Sequence, residues 1–161
     1  MSTPATASSA EELLQIVSFH IDEEEFGLEI LRVQEIIRTA PLTRVPASPA
    51  FVEGVVNLRG RVIPVISLRK RFGLGPREAD KETRIIVVEV TGTVLGLMVD
   101  AVSEVVRIKP ETLEPPPRLG RVEREYVRGV AKLEGRLLIL LDIERLMSEA
   151  EEVVCAQIGN K

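Results

Sequence analysis

From residue 16 the chain alternates. Val17, Phe19 and Ile21 stand between Ser18, His20 and Asp22, a period of two that predicts a half-buried strand. "DEEEFG" (22–27) then reads as a turn, and "FGLEIL" (26–31) as the returning partner strand. "RVQEIIR" (32–38) fits two periods: its apolar spacing permits a helical turn, while its β-branched residues favour extension. Two more strands follow in "FVEGVVNL" (51–58) and "VIPVI" (62–66), joined by a turn at "RGR". Pro64 cannot donate to a ladder, which predicts an edge strand or a bulge at that point. Ser67 is a good helix N-cap ahead of "LRKRF", and Gly73 predicts a stop after about one turn.

The same series then returns. "IVSFHIDEEEFGLEILRVQEIIR" (16–38) lies over "IIVVEVTGTVLGLMVDAVSEVVR" (85–107), matching Ile16 with Ile85, Gly27 with Gly96 and Glu35 with Glu104. "FVEGVVNLRGRVIPVISLRKRFG" (51–73) lies over "YVRGVAKLEGRLLILLDIERLMS" (126–148), matching Gly54 with Gly129 and Gly60 with Gly135. The first block is offset by 69 positions and the second by 75, so only the connector changes, by six residues. Two matching blocks in the same order point to an internal duplication. Ile139 replaces the awkward imino acid in the second copy, whose fifth strand should be better buried, and Asp142 supplies the cap. No stop follows it, so "IERLMSEAEEVVCAQI" (143–158) is expected to run on as a C-terminal helix.

Halves of about 70 residues, each with four or five short strands and one helical turn, predict a mainly β protein built from two small five-stranded barrels. A unit of that size buries only about 60% of its unfolded surface, so the barrels are expected to pack together and leave a groove where they meet. The expected boundaries are a loose tail over 1–14, a first barrel over 15–80, a second over 81–141, and the helix and tail over 142–161. The 161 residues and 45% hydrophobic content suffice for this arrangement. The tail "STPATASSAEE" lacks the basic start and apolar stretch of a secretory signal, and no apolar run is long enough for a membrane span. The length and the polar start at Met1 suggest a free-standing protein, not a fragment of a larger kinase.

Charge and chemistry narrow the field. A net charge of −4, no Trp, one Tyr and four Phe argue against a small-barrel nucleic-acid binder, which needs clustered cations and stacking rings. His20 is the sole histidine and falls on the outward face of an early strand, leaving no base for Ser-His-Asp or Cys-His catalysis. Cys155, the one cysteine, precludes an internal disulfide and suits a reducing compartment. "DEEE" at 22–25 lacks the spacing of a Ca²⁺ loop and reads as a solvated turn. "GLGP" (73–76) is a helix stop and linker, too short for a dinucleotide fingerprint, and 69–71 reads as a solvated basic helix face. Glu35, Asp100 and Asp142 are better explained by capping and solvation than by acid/base chemistry. The expectation is a non-enzyme without cofactor or metal.

One asymmetry stands out within the repeat. Where the first copy has Glu35 and Arg59, the second has Glu104 and Glu134, so only the first can form this ion pair. Drifting surface charges account for that as well as a specialised partner-facing site does, and both readings stay open.

"VQEI" (33–36) followed by "FVEGVVNLRGRVIPVISLRKRFG", with the closing "LILLDIERL", resembles the chemotaxis coupling protein family CheW over residues 16–147. Where that family commonly has Asp ahead of the short helix, this chain has Ser67, and both residues cap helices. The resemblance implies two SH3-like barrels and a cytoplasmic, non-enzymatic adaptor joining the tips of transmembrane chemoreceptors to the histidine kinase CheA in arrays beneath the inner membrane. It implies barrel-to-barrel docking with the kinase regulatory domain and a receptor hairpin in the groove, without direct membrane insertion. Carried over by position, Val33, Glu35, Ile36, Gly54, Asn57, Arg59 and Gly60 fall in the part linked to coupling. Glu35 and Arg59 would be polar determinants and Val33 and Ile36 apolar contacts, while Gly54 and Gly60 would permit tight backbone geometry. A coupler in another pathway, such as pilus motility, fits the same resemblance.

Overall fold

The computed structural model describes residues 13–38, 41–47, 49–75, 78–90, 92–115 and 126–146. Among the described residues, ten strands carry the fold. In the first copy these are β1 (Leu14–Ile21), β2 (Glu24–Glu29), β3 (Val33–Arg38), β4 (Val52–Leu58) and β5 (Arg61–Ser67). A helical turn, α1 (Leu68–Arg71), follows β5. The second copy supplies β6 (Arg84–Val90), β7 (Thr93–Val99), β8 (Ala101–Ile108), β9 (Val127–Leu133) and β10 (Arg136–Leu141). The ambiguous stretch is extended from Val33 on, as β3, and the 3-10 turn at Ile30–Arg32 instead shortens the expected partner strand, which ends at Glu29. Ser67 accepts a hydrogen bond from the Lys70 amide and Asp142 one from the Arg145 amide, so both expected caps form. Gly73, at φ +83°, ends α1 with its amide on the Lys70 carbonyl. Residues 143–146 are helical; the rest of the expected C-terminal helix, like most of the N-terminal tail, lies outside the described residues.

The strands assemble into two five-stranded barrel sheets, ordered β8-β1-β2-β10-β9 and β3-β6-β7-β5-β4. All pairings are antiparallel except β2 with β10 and β5 with β7. Each sheet therefore takes strands from both copies of the repeat. A division at residues 80 and 81 does not separate the two sheets, because β1 and β2 pair with the second copy's strands and β6 and β7 with the first's. Alternation fixes which face a side chain takes but not which strand lies beside it, so the exchange satisfies the same pattern as two contiguous barrels would.

Exchange also accounts for the burial. Ile16, Leu138 and Leu140 fill the first barrel, and Val56, Ile63, Val65, Ile85 and Val87 fill the second. A third and larger cluster lies between them, with Phe19, Phe26 and Leu28 from one sheet against Ile86, Val88 and Leu97 from the other. Strands β1 and β6 are thus buried on both faces through most of their length, which corrects the half-buried reading: Ser18, expected outside, is fully buried. Pro64 is also corrected. Strand β5 is internal, but Val55 opposite turns its amide and carbonyl to Thr43, and pairing of β5 with β7 begins only at Val65. No ladder bond is needed from Pro64. The duplicated Gly27 and Gly96 keep matching places, since an added Cβ would stand 2.3 Å from Ile16 Cγ2 and 2.8 Å from Ile85 Cγ2 respectively. Among the described residues no helix is long and apolar enough to cross a membrane.

Candidate docking site

Strand β3 borders the second sheet and carries a bulge. Val33 lies opposite Val88, but Glu35 lies opposite Val87, so one residue is unmatched between them. Residues opposite each other share a face. The bulge thus puts Val33 and Ile36 on the side of the shared core, and Glu35 with Ile37 on the side of the barrel interior. Val33 packs against the shared core, whereas Ile36 remains 39% exposed. Of the two expected apolar contacts, Ile36 is the more exposed and Val33 is half-buried.

Strands β4 and β5 close on Arg59 and Gly60, with Leu58 opposite Arg61. Both turn residues have positive φ, +52° and +83°, the requirement of the tight type I′ hairpin turn. Gly60 meets it freely, whereas Arg59 adopts a left-handed conformation that disfavours a side chain by about 1–2 kcal/mol. Asn57 holds the turn, its Oδ1 accepting from the Gly60 amide at 2.9 Å. Arg59 then reaches Glu35 and forms the ion pair that the sequence singled out. Glu35, Asn57, Arg59 and Gly60 thus come together. Gly54 lies farther along β4, at a bulge, with φ +146° and the Thr43 carbonyl where a Cβ would go.

The second copy answers the asymmetry differently. Glu104 pairs with Arg136 at 2.6 Å, and Arg136 Nε also meets buried Glu25 at 3.1 Å. Glu25 in turn accepts from the Ser18 hydroxyl. The Glu104 hydrogen bond and the Glu25 charge hold the Arg136 guanidinium above its ordinary range. At the matching places in the other barrel stand Val87 for Ser18, Val94 for Glu25 and Arg61 for Arg136. Without a buried carboxylate to draw it in, Arg61 stays exposed, and Glu35 is left to Arg59. This polar cluster was missed from sequence. Its signal was the repeat itself, which sets a Ser and a Glu over two apolar residues. It also corrects the solvated-turn reading of "DEEE": Glu25 points inward and Asp22 pairs with Arg69 at 2.6 Å. Arg69 is likewise no solvated basic residue.

Exposed apolar residues repeat as well. Ile36 and Val62 in the first copy match Val105 and Leu137 in the second, at exposures of 39, 61, 49 and 57%. Val62 lies opposite Asn57, beside the ion-paired turn. Each barrel so presents two apolar side chains and a Glu–Arg pair, with the Glu at matching positions and the Arg at different ones. Among the described residues, no three His, Cys, Asp or Glu side chains gather as a metal site.

Comparison with known proteins places this arrangement. The family model described as CheW-like domain matches residues 15–151. The probable chemotaxis protein CheW of Rhizobium etli is 38% identical over 138 residues, covering 85% of this chain and 89% of that one. The chemotaxis protein CheW of Helicobacter pylori is 37% identical over 139 residues, covering 86% and 84%. Among solved structures, the scaffolding protein TtCheW of Thermoanaerobacter tengcongensis superposes with a TM-score of 0.76 at 43% identity, over 81% of this chain and 85% of that one. The match takes in the ten described strands, all but the first residue of β1, together with the ion-paired turn, and this chain belongs to the CheW-like family of chemotaxis scaffold proteins.

Proposed function

We propose that this chain is a non-enzymatic adaptor that couples transmembrane chemoreceptors to the histidine kinase CheA, in the cytoplasm at arrays beneath the inner membrane. The observation that carries the reading is the likeness to chemotaxis scaffold proteins over residues 15–151, which include both barrels. Two features of the site support it. A residue held in a disfavoured backbone conformation, as Arg59 is, points to function more than to stability. The two barrels also expose apolar pairs at matching places, which suits a molecule with more than one protein contact. On this reading Glu35, Arg59 and Ile36 meet a partner directly, Asn57 and Gly60 shape the turn, and Gly54 and Val33 position β4 and β3. An adaptor of this kind works by binding two partners at once, so modest pairwise affinities suffice in a multivalent array.

Co-sedimentation tests the proposal. The chain, a receptor cytoplasmic fragment and CheA are expected to pellet together at both low and moderate salt. No ternary complex at either would count against coupling. Assembly with the receptor and kinase of a pilus-motility pathway, but not with the chemotaxis pair, would favour that second pathway.

A further inference from the structure

The second barrel closes on buried Val56, Ile63, Val65, Ile85, Val87 and Val94. The first four are answered in the first barrel by Ala131, Leu138, Leu140 and Ile16, equally buried and apolar, but the last two by Ser18 and Glu25. Glu25 stands next to Leu138, and Leu138 next to Ala131, in a row across three strands. Its carboxylate is met there by the Ser18 hydroxyl and by Arg136 Nε at 3.1 Å. A buried ion pair adds little stability over well-packed apolar residues of similar size, and often lowers it. Stability therefore does not account for a carboxylate in this place.

Its effect at the surface does. Arg136 spans Glu25 and Glu104, donating to Glu104 Oε2 at 2.6 Å. Arg61, its counterpart, has Val94 in the place of that inner carboxylate and stays exposed. Glu25 thus decides where one surface guanidinium lies. Around it the charges of the two barrels are inverted. The first carries Glu104, Glu134 and Arg136 with exposed Val105 and Leu137; the second carries Glu35, Arg59 and Arg61 with exposed Ile36 and Val62. The apolar pairs are alike, so the charges are what distinguish one face from the other. A partner drawn to one arrangement is turned away by its inverse.

We propose that Glu25 is a positioning residue: from inside the first barrel it holds Arg136 against Glu104, and the acidic face so fixed makes a partner choose this barrel over the other. The choice of partner rests on the coupling proposal; the positioning of Arg136 does not.

Two variants test it. Ser18→Val with Glu25→Val installs the interior of the other barrel, and Glu25→Gln keeps the shape while removing the charge. Exchange of the Arg136 Nε proton with water, followed by NMR, is expected to quicken about fivefold or more in both. The Tm of the double variant should equal or exceed that of the native chain. Affinities for a receptor cytoplasmic fragment and for CheA are measured separately. One is expected to weaken about fivefold or more, and the other to stay within about twofold. In an Arg136→Gln background, Glu25→Gln should change neither affinity further. Unchanged Arg136 exchange, equal weakening toward both partners, no weakening toward either, or a further loss in that background would overturn the inference. Should the double variant not fold, Glu25→Gln gives the same readings. A native chain that binds neither partner would overturn the coupling proposal and the choice of partner with it, and the Arg136 exchange would still decide the positioning.

Discussion

Gly54→Ala is expected to lower stability by about 3 kcal/mol, a fall in Tm of roughly 6–12 °C, with loss of partner binding in proportion to the unfolded fraction. Two effects add. The backbone at φ +146° admits a side chain only with strain, and the new Cβ would stand 2.4 Å from the Thr43 carbonyl oxygen. That carbonyl accepts from the Val55 amide at 2.8 Å, so moving it away also weakens a bond fastening the edge of β4. The duplication supplies the control. Gly129 faces the corresponding Glu114 carbonyl with 3.1 Å of room for a Cβ, so Gly129→Ala should cost only about 1 kcal/mol. Thermal unfolding of the two variants reads the difference, and equal losses would show that Gly54 is not special.

Glu35→Arg and Arg59→Glu should each weaken assembly with receptor and kinase by about tenfold or more, while the fold persists. Breaking an exposed pair costs stability only about 0.2–1 kcal/mol, so circular dichroism and Tm should hardly move. The Arg59 side chain is 75% exposed even while paired, which leaves most of it for a partner to meet. Reversing both charges restores the pair and should recover the small stability loss. It should not recover binding, because the partner then meets an acid where it needs a base. Full binding by both single variants would remove the pair from the site. Full recovery in the double reversal would reduce it to a device that holds the turn.

The expected ion pair was legible for a physical reason. A two-residue hairpin turn fixes where Arg59 projects, and the bulge on β3 brings Glu35 to meet it. Ser67 and Asp142 were legible because N-capping is local. The matched Gly27 and Gly96 were visible as repeats, though not their contacts with Ile16 and Ile85. Strand exchange between the copies was not legible, since the pairing of β2 with β10 and of β5 with β7 depends on tertiary packing alone. The Ser18–Glu25–Arg136 cluster was hidden for a related reason: alternation placed Ser18 outside, and only closure of the first barrel buries it.

On the proposed function, this chain makes a kinase answer to a receptor. Phosphorylation by CheA, measured with receptor-containing membranes in the presence and absence of the chain, tests it most directly. A response to receptor stimulus that arises only when the chain is added is the predicted result. A kinase output indifferent to the chain, or an equal response without it, would show that the chain is not the coupler.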